Sequence, residues 1–186
     1  DTTHLDRILS FDPISGVVEV EAGVSLDHLI RMLAPRGWFV PVTPGTRYVT
    51  VGGAIASDVH GKNHHAVGSF GQHVGELTLV TADGSLQTAS ATSNERTFWA
   101  TIGGMGLTGV ILRAKIQLSA VPSAKIMATT QRSGDLDSLM SDMSAIDADV
   151  PYSVAWVDTT EERGIPLELD GEHGVTALDG PPTSDC

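Results

Sequence analysis

The sequence predicts an α+β fold, in which strands joined as hairpins form an antiparallel sheet flanked by helices. Residues 76–81 and 85–89 predict two strands around Ala82-Asp-Gly84, where Asp and Gly tolerate the positive φ angles of a tight turn. Residues 110–118 alternate apolar and polar side chains, which predicts another strand. Four apolar residues recur at the spacing of one helix face, which predicts an amphipathic helix: Leu26, Leu29, Ile30 and Leu33. These elements do not repeat as β-α-β units, so a doubly wound parallel sheet is not expected.

Local signals predict the first elements of the chain. Residues 7–11 and 17–22 predict two strands joined by a turn at 12–16. Ser25 stands at the N-cap position, directly before the amphipathic segment. Pro35 ends that segment, so we expect a helix of about three turns.

Further along the chain, Asn94 is expected to cap a short helix that continues through Trp99. The later elements are predicted as strand, helix and strand, at residues 125–131, 136–146 and 152–157.

We expect three parts in the chain, because Pro122 and Ser123 interrupt the pattern of elements. Residues 1–120 form the first domain. Residues 121–160 form the beginning of a second, incomplete domain, since so few elements cannot bury two faces alone. Residues 161–186 are an acidic tail rich in Gly and Pro, which predicts disorder.

Composition excludes several classes of protein. The net charge of −12 argues against binding of a nucleic acid backbone. A single cysteine, Cys186, excludes an internal disulfide framework. No apolar run approaches the roughly 20 residues of a membrane-spanning helix, so we expect the chain as written to be soluble. Composition does not fix its location in the cell.

Residues 42–71 hold six glycines and three histidines within thirty positions. Glycines let the backbone approach a ligand closely, and small residues between them leave room for a flat molecule. Gly52 and Gly53, next to a short apolar helix, could direct main-chain amides at a phosphate. The segment therefore predicts a cofactor cradle.

The three histidines, His60, His64 and His65, raise the alternative of a metal site. Gly61 weakens a helix through them, and no carboxylate accompanies them in a ligand motif, so no metal is expected. A structural role for His64 and His65 and a ligand contact by His60 are both open. Lys62 could bind a ligand anion.

Gly104-Met-Gly-Leu-Thr-Gly109 matches the G-x-G-x-x-G pattern of dinucleotide-binding folds. That motif must follow a strand and open a helix, whereas here a predicted helix precedes it and a strand follows. We therefore expect a glycine-rich turn between helix and strand. Contact with a cofactor of another kind remains open for this turn.

Four segments carry a resemblance to a known family: 42–65 (VTPGTRYVTVGGAIASDVHGKNHH), 68–71 (GSFG), 79–84 (LVTADG) and 98–109 (FWATIGGMGLTG). They are similar to the FAD-linked oxidases of the vanillyl-alcohol-oxidase type, which share a PCMH-type FAD-binding domain. VGGAIA is typical of the whole family, whereas HGKNHH points to members that oxidise a sugar linked to a polyprenyl phosphate.

The resemblance implies the second subdomain of a PCMH-type domain, followed by the start of a substrate domain. The catalytic residues it implies are His60 and Lys62. The cofactor contacts it implies are made by Gly45, Thr50, Val51, Gly52, Gly53, Ser57, Asp58, Val59, His60 and Ile111. FAD is expected to bind non-covalently, because the earlier half of the domain, which links FAD in some relatives, is not in this sequence.

The implied activity is oxidation of the 2-hydroxyl of a polyprenyl-phosphate-linked ribose to a keto sugar, the first half of epimerisation to arabinose for cell-wall arabinan. A separate NAD(P)H-dependent reductase would complete the epimerisation. The lipid-linked substrate implies proximity to a membrane, at its cytoplasmic or periplasmic face. Two alternatives remain: another FAD-linked alditol or aldonolactone oxidase, or a truncated fragment that does not hold FAD.

Overall fold

The computed structural model describes residues 2, 4–147 and 149–157, together with the strand Val175–Asp179. The chain divides into two compact units. The first unit comprises Asp1–Gly61 and Val67–Val121, and the second comprises Lys62–Ala66 and Pro122–Cys186.

An antiparallel sheet of five strands forms the first unit, in the order β1-β2-β6-β4-β5. A two-stranded ribbon of β3 and β7 accompanies it. The strands of this unit are β1 (Ile8–Asp12), β2 (Val17–Glu21), β3 (Trp38–Phe39), β4 (Val74–Val80), β5 (Leu86–Ala89), β6 (Val110–Gln117) and β7 (Ser119–Ala120). The predicted α+β class is confirmed.

Among the described residues of this unit, three helices accompany these strands: α1 (Leu26–Leu33), α2 (Val51–Ala56) and α4 (Glu95–Thr101). The short helix α3 (His64–Val67) begins in Lys62–Ala66, the segment that groups with the second unit. The predicted cap of α1 is confirmed, because Ser25 Oγ accepts the N–H of His28 at 3.1 Å. A short 3-10 turn then leads to Gly37, whose φ of 81° terminates the helical segment.

One face of the sheet supplies the core of the first unit. Alternate residues of β6 point inward, and Ala114 and Ile116 are each 1% exposed. Leu77 of β4 and Val20 of β2 lie opposite Ala114 in the ladder, and both are fully buried. The helices add Leu29 and Ile55, among others, to the same cluster. The sheet and its helices therefore form a two-layer unit.

The G-x-G-x-x-G segment joins α4 to β6, as the sequence predicts. Thr101 Oγ1 donates to the carbonyl of Thr97 at 2.7 Å and lies 2.9 Å from Thr108 Oγ1. Because Thr101 has one hydroxyl hydrogen, the Thr108 hydroxyl donates the second bond. The turn is thus fastened to the helix that precedes it.

The predicted role of Asn94 as a side-chain cap is wrong. Asn94 adopts a left-handed backbone, with φ of 49°, and makes no capping bond to α4. Its side-chain amide instead donates to the carbonyl of Thr88 on β5 at 2.8 Å. A contact with the neighbouring strand therefore overrides the local preference.

The described residues of the second unit include a three-stranded antiparallel sheet in the order β8-β10-β9 and one longer helix. These elements are β8 (Met127–Gln131), α5 (Leu136–Ile146), β9 (Tyr152–Ala155) and β10 (Val175–Asp179). Asp135 caps α5, since its Oδ1 accepts the N–H of Ser138 at 2.7 Å.

Most of the predicted tail, residues 161–174 and 180–186, lies outside the described residues. Its central segment is the strand β10. None of the described helices has the length and apolar character needed to cross a lipid bilayer.

Candidate cofactor site

Helix α2 lies in the middle of the predicted cradle. The main-chain N–H groups of its first turn already have hydrogen-bond acceptors within the chain. The N–H of Val51 donates to the carbonyl of Val24, and that of Gly52 to the carbonyl of Ala22, each at 2.8 Å. Thr50 Oγ1 accepts the N–H of Gly53 at 3.1 Å. The expectation that Gly52 and Gly53 direct their amides at a phosphate is therefore wrong for this structure, because both hydrogens are used.

The C-terminal end of α2 meets the second glycine-rich segment. The carbonyls of Ile55 and Ala56 accept the N–H groups of Gly103 and Met105, at 3.0 and 2.8 Å. Carbonyls at a helix end lack their usual partners within the helix. That of Ile55 also accepts the N–H of Asp58, at 3.0 Å. The two glycine-rich parts of the chain, far apart in sequence, are thereby joined.

Asp58 lies at this junction in a left-handed conformation, with φ of 42°. Its carboxylate accepts the hydroxyl of Ser69 at 2.9 Å and the N–H of Gly71 at 2.8 Å. A Cβ placed on Gly103 would lie 3.4 Å from that of Asp58. The acid therefore ties α2, the 68–71 turn and the 103–106 loop together.

The two arms of the cradle come into contact at Gly61. A Cβ on Gly61 would lie 2.7 Å from the carbonyl carbon of Thr43, which only glycine avoids. A Cβ on Gly45, in contrast, would meet nothing within 4 Å. The backbone at Gly45 therefore borders open space, beside an arm that is fixed by close main-chain packing.

The predicted cofactor residues differ in their exposure to solvent. Gly45, Gly53, Ser57 and His60 are exposed, whereas Thr50, Gly52, Asp58 and Val59 are half-buried. Val51 is fully buried and Ile111 is 7% exposed, so both side chains belong to the core. Main-chain atoms or neighbouring residues would have to make any contact assigned to those two. The assignments as a whole stay predictions.

Arg47 is a charged residue of this region that the sequence did not single out. Its Nε lies 2.7 Å from Asp27 Oδ1, and its guanidinium carbon lies 5.2 Å from the centre of the Tyr48 ring. The hydrogen bond to the Tyr48 hydroxyl, together with Asp27, raises the pKa of Arg47. No local sequence pattern indicates the ion pair between Arg47 and Asp27, because Asp27 lies on α1, twenty positions earlier.

The histidines of the predicted metal alternative do not act as a cluster. His65 and Lys62 belong to the second unit, whereas His60 belongs to the first. Within the described part of the chain, no three His, Cys, Asp or Glu side chains are grouped to hold a metal ion.

The residues present fit a flat cofactor that is recognised through the main chain. Exposed glycines at 45, 53, 103 and 106 leave main-chain surface without side chains, and Ser57 and His60 add polar groups beside it. An extended ring system can pack against such a surface.

Comparison with known proteins identifies the class. Residues 1–90 match a family described as an FAD binding domain. Residues 1–90 therefore belong to this FAD-binding domain family, and the coenzyme of the domain is FAD.

Several named proteins are similar to the chain. It is 48% identical to decaprenylphosphoryl-beta-D-ribose oxidase of Mycolicibacterium smegmatis, over 85% of this chain and 35% of that protein. It is 30% identical to human delta(24)-sterol reductase, over 66% of this chain and 23% of that protein. A D-lactate dehydrogenase of Anaerostipes hadrus is 27% identical, over 66% of this chain and 26% of that protein. The chain spans about a third or less of the length of these relatives.

Proposed function

We propose that the chain is part of an FAD-dependent oxidoreductase that oxidises the 2-hydroxyl of a polyprenyl-phosphate-linked ribose to a keto sugar. The observation that carries the proposal is the 48% identity to decaprenylphosphoryl-beta-D-ribose oxidase across 85% of the chain. The relatives named for sterols and lactate are less similar, at 30% and 27% identity.

The reaction removes a hydride from the carbon that bears the hydroxyl and a proton from its oxygen, and a carbonyl group forms. FAD, when bound, would accept the hydride. His60 is exposed, and its imidazole would accept the released proton as a general base. Lys62 is also exposed, and its ammonium group would bind the phosphodiester of the substrate.

Other residues would shape the surface that holds FAD. Gly45 would present main-chain atoms, Gly53 a surface without a side chain, and Ser57 a hydroxyl group. Asp58 would act one step behind them, because both of its carboxylate oxygens bond to the 68–71 turn. Val59 packs against the core and fixes the base of the arm that carries His60.

The proposal extends to the surroundings of the enzyme. A lipid-linked substrate would bring the protein to the cytoplasmic or periplasmic face of a membrane. The oxidation to the keto sugar is the first half of an epimerisation. A separate NAD(P)H-dependent reductase is therefore the proposed partner in arabinan synthesis.

The experiment purifies the 186-residue chain with excess FAD and measures absorbance at about 450 nm after desalting, a band set by the cofactor. We expect bound flavin. A colourless protein would mean that this chain does not hold FAD. Bleaching by a short-chain polyprenylphosphoryl-β-D-ribose supports the proposed substrate, whereas bleaching only by alditols or aldonolactones would overturn it.

A pair of histidine variants places the site. His60→Ala is expected to weaken flavin binding or turnover. His73→Ala is the control, because His73 Nε2 lies 3.0 Å from the carbonyl of Val67 and serves the fold. Equal losses in both variants would show that the site is misplaced.

A further inference from the structure

We infer that His65 is a positioning residue that holds Lys62 in place for the substrate, through contacts inside the second unit. The inference rests on the role proposed for Lys62 and adds a residue to it. Lys62–Ala66 is a segment of the glycine-rich stretch that groups with the second unit.

The main chain of Lys62 is fixed directly. Its carbonyl accepts the N–H of Ser153, on β9, at 3.0 Å. Ser153 is 8% exposed, so this bond is shielded from water. The Ser153 hydroxyl donates in turn to Asp147, at the end of α5. One end of the segment is therefore attached to the sheet of its own unit.

His65 fixes the other end. Its Nε2 lies 3.0 Å from the carbonyl oxygen of Val150, and a carbonyl only accepts, so this nitrogen carries the hydrogen. Its Nδ1 lies 3.9 Å from Asp147 Oδ1, on the same carboxylate that receives the Ser153 hydroxyl. The side chain is 26% exposed and reaches a residue that is 8% exposed.

Between these two attachments the segment forms a compact turn. The N–H of Ala66 donates to the carbonyl of Asn63 at 3.0 Å, and Asn63 is 2% exposed. Lys62 thus projects from a backbone that is held at its own carbonyl and, three residues later, through His65.

Such a frame matters for lysine in particular. The ammonium group sits on a flexible four-carbon stem, so its position depends strongly on the backbone that carries it. Anchoring that backbone lowers the entropy lost when the ammonium binds an anion. Loss of the His65 anchor would therefore weaken binding of the substrate phosphodiester and leave FAD in place.

The test compares His65→Ala with His65→Gln and His73→Ala in the FAD-loaded protein, with short-chain polyprenylphosphoryl-β-D-ribose as substrate. His65→Ala should raise KM about fivefold or more, the loss expected for one hydrogen bond, with unchanged flavin content. Glutamine places an amide N–H near the position of Nε2, so His65→Gln should restore most of the loss. His73→Ala removes a bond of the same kind, at the same 3.0 Å, in the first unit and should leave KM unchanged.

A double-mutant cycle with Lys62→Ala separates positioning from general damage. If His65 acts through Lys62, His65→Ala adds no further rise in KM in the Lys62→Ala background. Additive effects would overturn the inference and leave the proposed function standing. If Lys62→Ala alone leaves KM unchanged, the role proposed for Lys62 fails, and the inference fails with it.

A second readout does not depend on turnover. Hydrogen exchange of the Ser153 amide should become faster in His65→Ala and stay at the wild-type rate in His73→Ala. An unchanged Ser153 amide in His65→Ala would overturn the anchor itself.

Discussion

The carboxylate of Asp58 receives the main-chain N–H of Gly71 at 2.8 Å, although thirteen positions separate the two residues. Its other oxygen receives the Ser69 hydroxyl at 2.9 Å. A Cβ on Gly71 would lie 2.9 Å from Asp58 Oδ1 and would collide with the side chain of Ile102. A side chain at position 71 would therefore clash with Asp58 and Ile102. The hydrogen bond between Asp58 and Gly71 closes the turn that follows the HGKNHH segment.

Asp58→Ala should lower the free energy of unfolding by about 2 kcal/mol or more, because it removes two hydrogen bonds and leaves the buried Gly71 N–H unsatisfied. Asp58→Asn keeps an acceptor for Gly71 and tolerates the left-handed backbone, so it should cost about 1 kcal/mol or less. Urea unfolding of the chain without FAD measures both. Equal losses in the two variants would show that the hydrogen bonds are not the cause.

Gly45→Ala tests the open side of the cradle. The added methyl group meets nothing within 4 Å, so the melting temperature of the chain without FAD should not change. FAD affinity should fall about tenfold, since the methyl group would occupy space assigned to the cofactor. Thermal melts and flavin titration measure the two effects.

Gly71→Ala is the matched comparison, because its methyl group would overlap a core side chain. It should lower the melting temperature even without FAD. If Gly45→Ala keeps full FAD affinity, the assignment of Gly45 to the cofactor is wrong.

Local chemistry explains what the sequence could predict. Ser25 and the spacing of α1 lie within one short segment, so the cap and the helix follow from neighbouring residues. The same holds for the Asp83 turn, where hydrogen bonds from Thr81 and Ser85 lower the pKa of Asp83 to about 2. The resemblance of the HGKNHH segment to FAD-linked oxidases is likewise visible in the sequence alone.

Long-range pairing explains what the sequence could not predict. The amide of Gly52 is used by Ala22, thirty positions earlier, and Asn94 is drawn to Thr88 on a strand. The segment Lys62–Ala66 of the second unit bonds to Ser153 and Val150, which lie 91 positions after Lys62 and 85 positions after His65. Periodicity and capping rules consider only neighbouring residues, so they predict none of these partners.

Glu21 gives the fold a defined dependence on pH. Its side chain is 3% exposed and lies 2.7 Å from the guanidinium of Arg7, which is 71% exposed. The hydrogen bond from the Arg7 side chain, followed by that from its backbone N–H, lowers the pKa of Glu21 below its ordinary 4.5. A lowered pKa in the folded state stabilises the fold above the unfolded-state value, and the contribution disappears as the pH falls through the folded-state pKa.

The stability advantage of the wild type over Glu21→Gln should therefore be constant near neutral pH and shrink below about pH 4.5. Arg7→Gln should flatten the same part of the curve, and the double variant should add little, because one interaction is removed in each case. Urea unfolding at a series of pH values measures this. Parallel curves for wild type and Arg7→Gln across the acid range would contradict the assignment.

Thr50 separates a structural role from a cofactor role at one residue. Its Oγ1 caps α2 by accepting the N–H of Gly53, so Thr50→Ala should cost about 1 kcal/mol in the chain without FAD. Thr50→Ser keeps the hydroxyl and should be close to wild type. If Thr50 also contacts FAD, the alanine variant should lose more affinity than the serine variant under conditions where both are fully folded. Flavin titration at a temperature well below both melting points decides this, and equal affinities would leave Thr50 with the capping role alone.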